Sequence, residues 1–231
     1  MPRAMPEIPD QPVRVWDLPT RLFHWLLALA VIGAIVTARM GGNAMEWHFL
    51  LGYGLFALLA FRLLWGVVGG RWSRFASFIY APVTVLRYLR GQRRAGEHLD
   101  VGHNPTASFS VFAMLVFLML QVATGLVADD DIGNAGPLNK LIKADLAGQA
   151  GSWHTEWGQW LILTLAGLHV VAVAYYLLRK RINLVRPMLS GDKTLPAGTP
   201  SSADGLPQRL LAALLLAACV GIVAWVVKRG G

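Results

Sequence analysis

The chain has 231 residues, of which 55% are hydrophobic and 15% charged, with a net charge of +8. Soluble domains of ordinary composition carry about 25% charge, so a soluble fold is a poor match and long apolar runs point to membrane spans. A single cysteine, Cys219, excludes an internal disulfide.

A mostly polar segment, 1–19, comes first. Five apolar runs follow, at roughly 20–39, 47–68, 106–128, 154–178 and 208–227. Each is near the ~20 residues a bilayer crossing needs. The first is followed by a weak cleavage-like site, Gly42-Asn43-Ala44, but it is long for a signal peptide and is read as a retained span. The connection 69–105 contains Pro82 and the run Gln92-Arg93-Arg94-Ala95-Gly96, and a short interfacial helix is predicted around 82–91. Asn104 suits an N-cap and Pro105 the first position of the third span. The third loop opens with Asp129-Asp130-Asp131, read as a solvated loop. The connection 179–207 ends in a Pro/Gly/Ser-rich stretch read as a linker. The predicted fold is all-α: an integral membrane helical bundle with a four-helix core and a fifth C-terminal transmembrane helix. Its parts are an N-terminal segment 1–19, a membrane domain 20–193, a linker 194–207, and an extra helix with a short tail, 208–231.

The basic residues set the orientation. Arg3, Arg14 and Arg21 precede the first span, six arginines lie in 69–105, and six basic residues lie between Arg179 and Arg209. The opposite side holds Arg39, Lys140, Lys143, Lys228 and Arg229. The bias of fifteen against five predicts a cytoplasmic N-terminus. Topology and contact with the lipid bilayer account for the positive charge, so no nucleic-acid partner is expected.

Four of the six histidines fall in or beside spans, where an ionisable group is costly and hence a functional candidate. At ~1.5 Å per residue, His169 lies ~22 Å deeper than His154 on the same helix, about 60° away in azimuth. The four sort into two levels, His48 with His154 outside and His24 with His169 inside. Paired imidazoles on different helices are what bis-histidine haem ligation needs. No Cys-x-x-Cys-His sequence exists, which excludes c-type attachment. A zinc site needs three or four ligands together, which the separation disfavours. For any one histidine a structural, hydrogen-bonded role is the competing reading, and the force lies in the matched levels.

Gly52 and Gly158 each follow a histidine by four residues and share its face, leaving room for a flat macrocycle. Ordinary small-residue helix packing is their other reading. Arg62 lies inside the second span near the inner level, where either a haem propionate neutralises it or it snorkels to the headgroups. Arg21 reads as a positive-inside anchor, with propionate contact as the alternative. His98 reads as solvated. His103 reads as structural, with quinone or proton handling as the alternative. Gly125 and its neighbours in the third span suggest packing and pocket lining. A functional reading of the acidic run is a docking patch for a positively charged periplasmic electron carrier.

Several stretches together carry a family resemblance over about residues 13–193. They are Val13-Arg14-Val15-Trp16, Arg21-Leu22-Phe23-His24-Trp25, Trp47-His48 with Gly52, and Phe61-Arg62-Leu63-Leu64-Trp65-Gly66. Gly102-His103-Asn104-Pro105, Thr124-Gly125, Trp153-His154, Gly167-Leu168-His169 and Arg186-Pro187-Met188 to Gly191 complete the set. The chain resembles the bacterial cytochrome b-561 family, which includes the membrane cytochrome b subunit of nickel–iron hydrogenases. The resemblance implies two b haems, with His24, His48, His154 and His169 as iron ligands. It also implies electron transfer between a periplasmic cytochrome c or other redox protein and quinone. The alternative is a superoxide oxidase-like enzyme reducing ubiquinone, which an outer funnel lined by Lys140 or Lys143 would favour. A non-haem membrane scaffold is the third reading.

Overall fold

The computed structural model describes residues 9–92, 94, 96–129 and 133–230. Arg3 and Arg93 of the charge count, and Asp130 and Asp131 of the acidic run, lie outside the described residues. Among the described residues, five helical stretches are long and apolar enough to cross a membrane.

Helix α1 (Leu18–Met40) starts at Asp17, whose carboxylate accepts from the Thr20 N–H at 2.8 Å, with a proline in the first turn. It ends at Gly41 (φ 64°) and Gly42 (φ 53°), a left-handed pair that glycine tolerates. This sharp turn returns α2 (Ala44–Val68) along α1. The short helix expected near 82–91 is α3 (Pro82–Leu89). Helix α4 (Pro105–Val127) is capped by Asn104, which accepts from the Ala107 N–H at 2.8 Å.

The fourth span is longer than its apolar run. Helix α5 (Ala144–Ser152), a π turn (Trp153–Gly158) and α6 (Gln159–Leu178) form one 35-residue stretch. Gly148, Gly151 and Ser152 are weak helix formers, which hides this early start from the sequence. After α7 (Val185–Ser190), α8 (Leu206–Gly230) packs along α2 and buries Ala212, Cys219 and Val223.

The basic end of the bundle is a packed cap. Strand β1 (Asp10–Arg14) pairs antiparallel with β2 (Asp192–Pro196), with Arg14 opposite Asp192. The stretch read as a linker is therefore strapped to the N-terminal segment. Its partner lies 178 positions away, beyond the reach of local pattern reading. Ser202 continues the strap: its N–H donates to Arg14 O at 2.7 Å and its hydroxyl to Val15 O at 2.8 Å. Lys193 Nζ donates to Val101 O at 2.8 Å, joining the strap to the second connection.

At the centre of this cap Asp17 is fully buried. Besides capping α1, its carboxylate accepts from Gly70 N–H at 2.9 Å, Ser73 Oγ at 2.7 Å and Trp65 Nε1 at 3.2 Å. Buried charge is tolerated when its lone pairs are satisfied in this way. Asp204 closes the strap, accepting from Arg14 Nη1 at 2.6 Å and Leu18 N at 3.0 Å. Burial pushes the Asp204 carboxyl up, but the Leu18 N–H, Arg209 and Arg14 outweigh it and hold the group below its ordinary range.

Candidate haem sites

The outer site joins all four core helices. His48 on α2 and His154 in the π turn face each other with ring centres 5.9 Å apart. His48 Nδ1 lies 2.8 Å from Ala34 O of α1, and His154 Nδ1 lies 2.8 Å from Gln121 O of α4. A carbonyl only accepts, so each Nδ1 carries the proton and each Nε2 keeps its lone pair. Two imidazoles holding one metal through bonds of about 2 Å would have their ring centres roughly 6 Å apart. The observed spacing fits such a pair.

Between them lies a cavity of about 940 Å³, lined by His48, His154, Gly52, Gly125, Leu118 and Ile162 among others. That size falls in the range of cofactor sites, roughly 300–1,000 Å³. Gly52 faces open space. At Gly125 a Cβ would come 2.6 Å from His154 Cε1, so the close approach of α4 to the ring requires glycine. Gly158 is placed differently: a Cβ there would run into Gln121 Oε1, so its missing side chain makes room for the Gln121 carboxamide. Arg39 and Asp129 line the cavity, whereas Lys140 and Lys143 are not among its lining residues. The π turn takes an extra residue into the rod, changing the azimuth between His154 and His169 from that of an uninterrupted helix.

The inner site pairs His24 on α1 with His169 on α6, ring centres 6.3 Å apart. Its surroundings differ. His24 Nδ1 is buried with no hydrogen-bond partner among the described residues, and so is Arg62 Nη1. Arg62 is only 3% exposed, so it does not snorkel to the headgroups. Its guanidinium lies over the rings of Phe75 (4.6 Å) and Phe23 (6.0 Å). A desolvated cation calls for a counter-charge, and the buried Asp17 carboxylate lies within electrostatic range of it. His103 sits between Trp16 (4.7 Å) and Phe78 (4.6 Å). Burial first, and Arg62 next, push its imidazole down to about 3, so it stays neutral. Arg21 is turned into the cap, donating to Leu189 O and lying 3.8 Å from Asp204. His98 lies against Trp72, with ring centres 6.1 Å apart.

Two residues escaped the sequence reading. Asp17 carries the signal of an N-cap before Leu18-Pro19. Gln121 is the one carboxamide in α4, a polar group at membrane depth.

A membrane bundle with facing imidazole pairs and no covalent attachment motif is the architecture of a b-type cytochrome. Residues 15–191 match the family described as prokaryotic cytochrome b561, and the chain belongs to that family. Its cofactor is accordingly haem b. Similar curated proteins include one from Cupriavidus necator, 29% identical over 214 residues, covering 78% of this chain and 86% of that protein. Another, from Bradyrhizobium diazoefficiens, is 26% identical over 215 residues, with 78% and 85% covered. Both bear the name "Probable Ni/Fe-hydrogenase B-type cytochrome subunit". One from Escherichia coli, the "Probable Ni/Fe-hydrogenase 1 B-type cytochrome subunit", is 23% identical over 230 residues, with 82% and 94% covered. No solved structure matches the chain significantly.

Proposed function

We propose that the chain holds two b haems, one between His48 and His154 and one between His24 and His169. Through them it carries electrons across the inner membrane between a periplasmic redox partner and the quinone pool. The observation that carries this reading is the outer pair: both Nδ1 atoms are tied to carbonyls, and both Nε2 atoms remain free to ligate. The haems, when bound, supply the one-electron chemistry. The protein's own residues orient the ligands, exclude water and balance charge. Gly52 leaves space for a macrocycle edge, and Gly158 supports the ligand turn through Gln121. Arg62 is the counter-ion of an inner propionate, with Arg21 holding the helix start that carries His24.

The fifteen-to-five charge bias supports a cytoplasmic cap and a periplasmic outer site. The relatives' names make a nickel–iron hydrogenase the first redox partner to test, with a periplasmic cytochrome c as the second. A superoxide oxidase-like activity has less support, because neither Lys140 nor Lys143 lines the outer cavity.

Optical spectroscopy tests the proposal. The purified protein, reduced with dithionite, should show a b-type α-band and two haems per chain. A quinol should reduce part of that signal. Absence of bound haem contradicts the proposal outright, and haem that no quinol reduces removes the quinone link.

A further inference from the structure

We propose that Gln121 is a positioning residue for the outer haem, gripping His154 from two sides; this deepens the haem reading above and rests on it. The grip has two parts. Gln121 O accepts the ring Nδ1–H of His154 at 2.8 Å. Gln121 Nε2 donates to the backbone carbonyl of His154 at 2.8 Å. One residue of α4 thus fixes both the imidazole and the peptide that carries it.

His154 lies in the π turn, and its carbonyl, with two lone pairs, takes the Gln121 amide as a partner from outside the helix. In an α-helix each interior carbonyl accepts from the N–H four residues on, and the wider turn changes that pairing. A turn in this conformation has few reasons of its own to persist. The Gln121 side chain supplies one, by donating to a carbonyl of the turn from a neighbouring helix. The backbone carbonyl supplies the other, by fixing the tautomer that leaves Nε2 free.

The surroundings are shaped to admit this carboxamide. Gly158 is four residues beyond His154, and any Cβ there would collide with Gln121 Oε1. Gln121 Oε1 and Trp153 Nε1 are both buried without hydrogen-bond partners among the described residues. Both border the space left by the absent Gly158 Cβ, one an acceptor and the other a donor. Such a pair gives the Gln121 side chain one preferred orientation, with its oxygen toward the indole and its amide toward His154. Gly125 completes the arrangement, since only glycine lets α4 approach the ring closely.

Two variants separate positioning from folding. Gln121→Leu keeps the backbone carbonyl and removes the side-chain grip. Gly158→Ala keeps Gln121 and pushes its carboxamide away. Both should retain the inner haem and shift the low-spin g-value signature and the midpoint potential of the outer haem. Loss of a partner that orients a metal ligand typically costs about 10–100-fold in metal affinity, and outer-haem retention should fall by that range.

If the outer signature is unchanged in both variants while the parent protein holds two haems, the clamp is wrong and the haem reading stands. If both haems weaken equally, Gln121 is only a packing residue and the clamp is equally wrong. If the parent holds no haem, the underlying reading fails and takes this one with it.

Discussion

The two histidine pairs are built on opposite principles. At the outer pair the imidazoles are fixed in advance: both Nδ1 atoms are bonded, by carbonyls from two further helices. At the inner pair, charge is arranged in advance. Among the described residues, His24 Nδ1 and Arg62 Nη1 are buried without hydrogen-bond partners, and neutral His103 packs close by. The outer site resembles a mould for a ligand plane, and the inner site a socket for an anion. Substitutions should therefore fail in different ways at the two ends of the bundle.

The largest effect is expected at Gly125. Gly125→Leu drives a side chain into the His154 ring and should empty the outer site while leaving the inner one filled. Haem stoichiometry with redox titration reads this directly: one haem should remain, with the inner potential. Equal loss of both would show that the two sites are not separately built.

Arg62 comes next. A nearby cation disfavours ferric haem, so Arg62→Gln should lower the inner midpoint potential and leave the outer one in place. The expected shift is roughly 60 mV, corresponding to a tenfold change for a one-electron couple. An unmoved inner potential would separate Arg62 from the inner haem.

The smallest effect belongs to the cap. The Asp204 carboxyl is held below its ordinary range in the folded state. Its contribution is fully present above the usual carboxylate pKa of about 3.9 and is lost as pH falls through the lower folded value. Proteolytic nicking of 192–205 should rise in that acid window. Asp204→Asn should raise nicking at neutral pH, with a stability loss of about 1 kcal/mol, and flatten the acid dependence.

How much of this was legible in the sequence follows from how far each signal reaches. Apolar runs revealed the five spans, and depth arithmetic along the fourth span sorted the histidines into the pairs whose rings lie together. Asn104-Pro105 marked a helix start that holds. The strap of β1 on β2 was hidden because its strands lie far apart in the chain and the second is masked by proline and glycine. The outer orientation was hidden for another reason: Ala34 and Gln121 act through backbone carbonyls, which leave no mark in residue identity. Gly158 carried a visible signal whose meaning changed. It makes space for a side chain from α4, and Gln121, passed over in an apolar helix, is the residue that needs that space.

The pairing itself is tested most directly by haem counts and redox titration of four variants, His24→Ala, His48→Ala, His154→Ala and His169→Ala. His48→Ala and His154→Ala should each lose the same outer haem and keep the inner one. His24→Ala and His169→Ala should do the reverse. If His154→Ala and His169→Ala lose the same haem, or neither loses any, the two-level arrangement is contradicted.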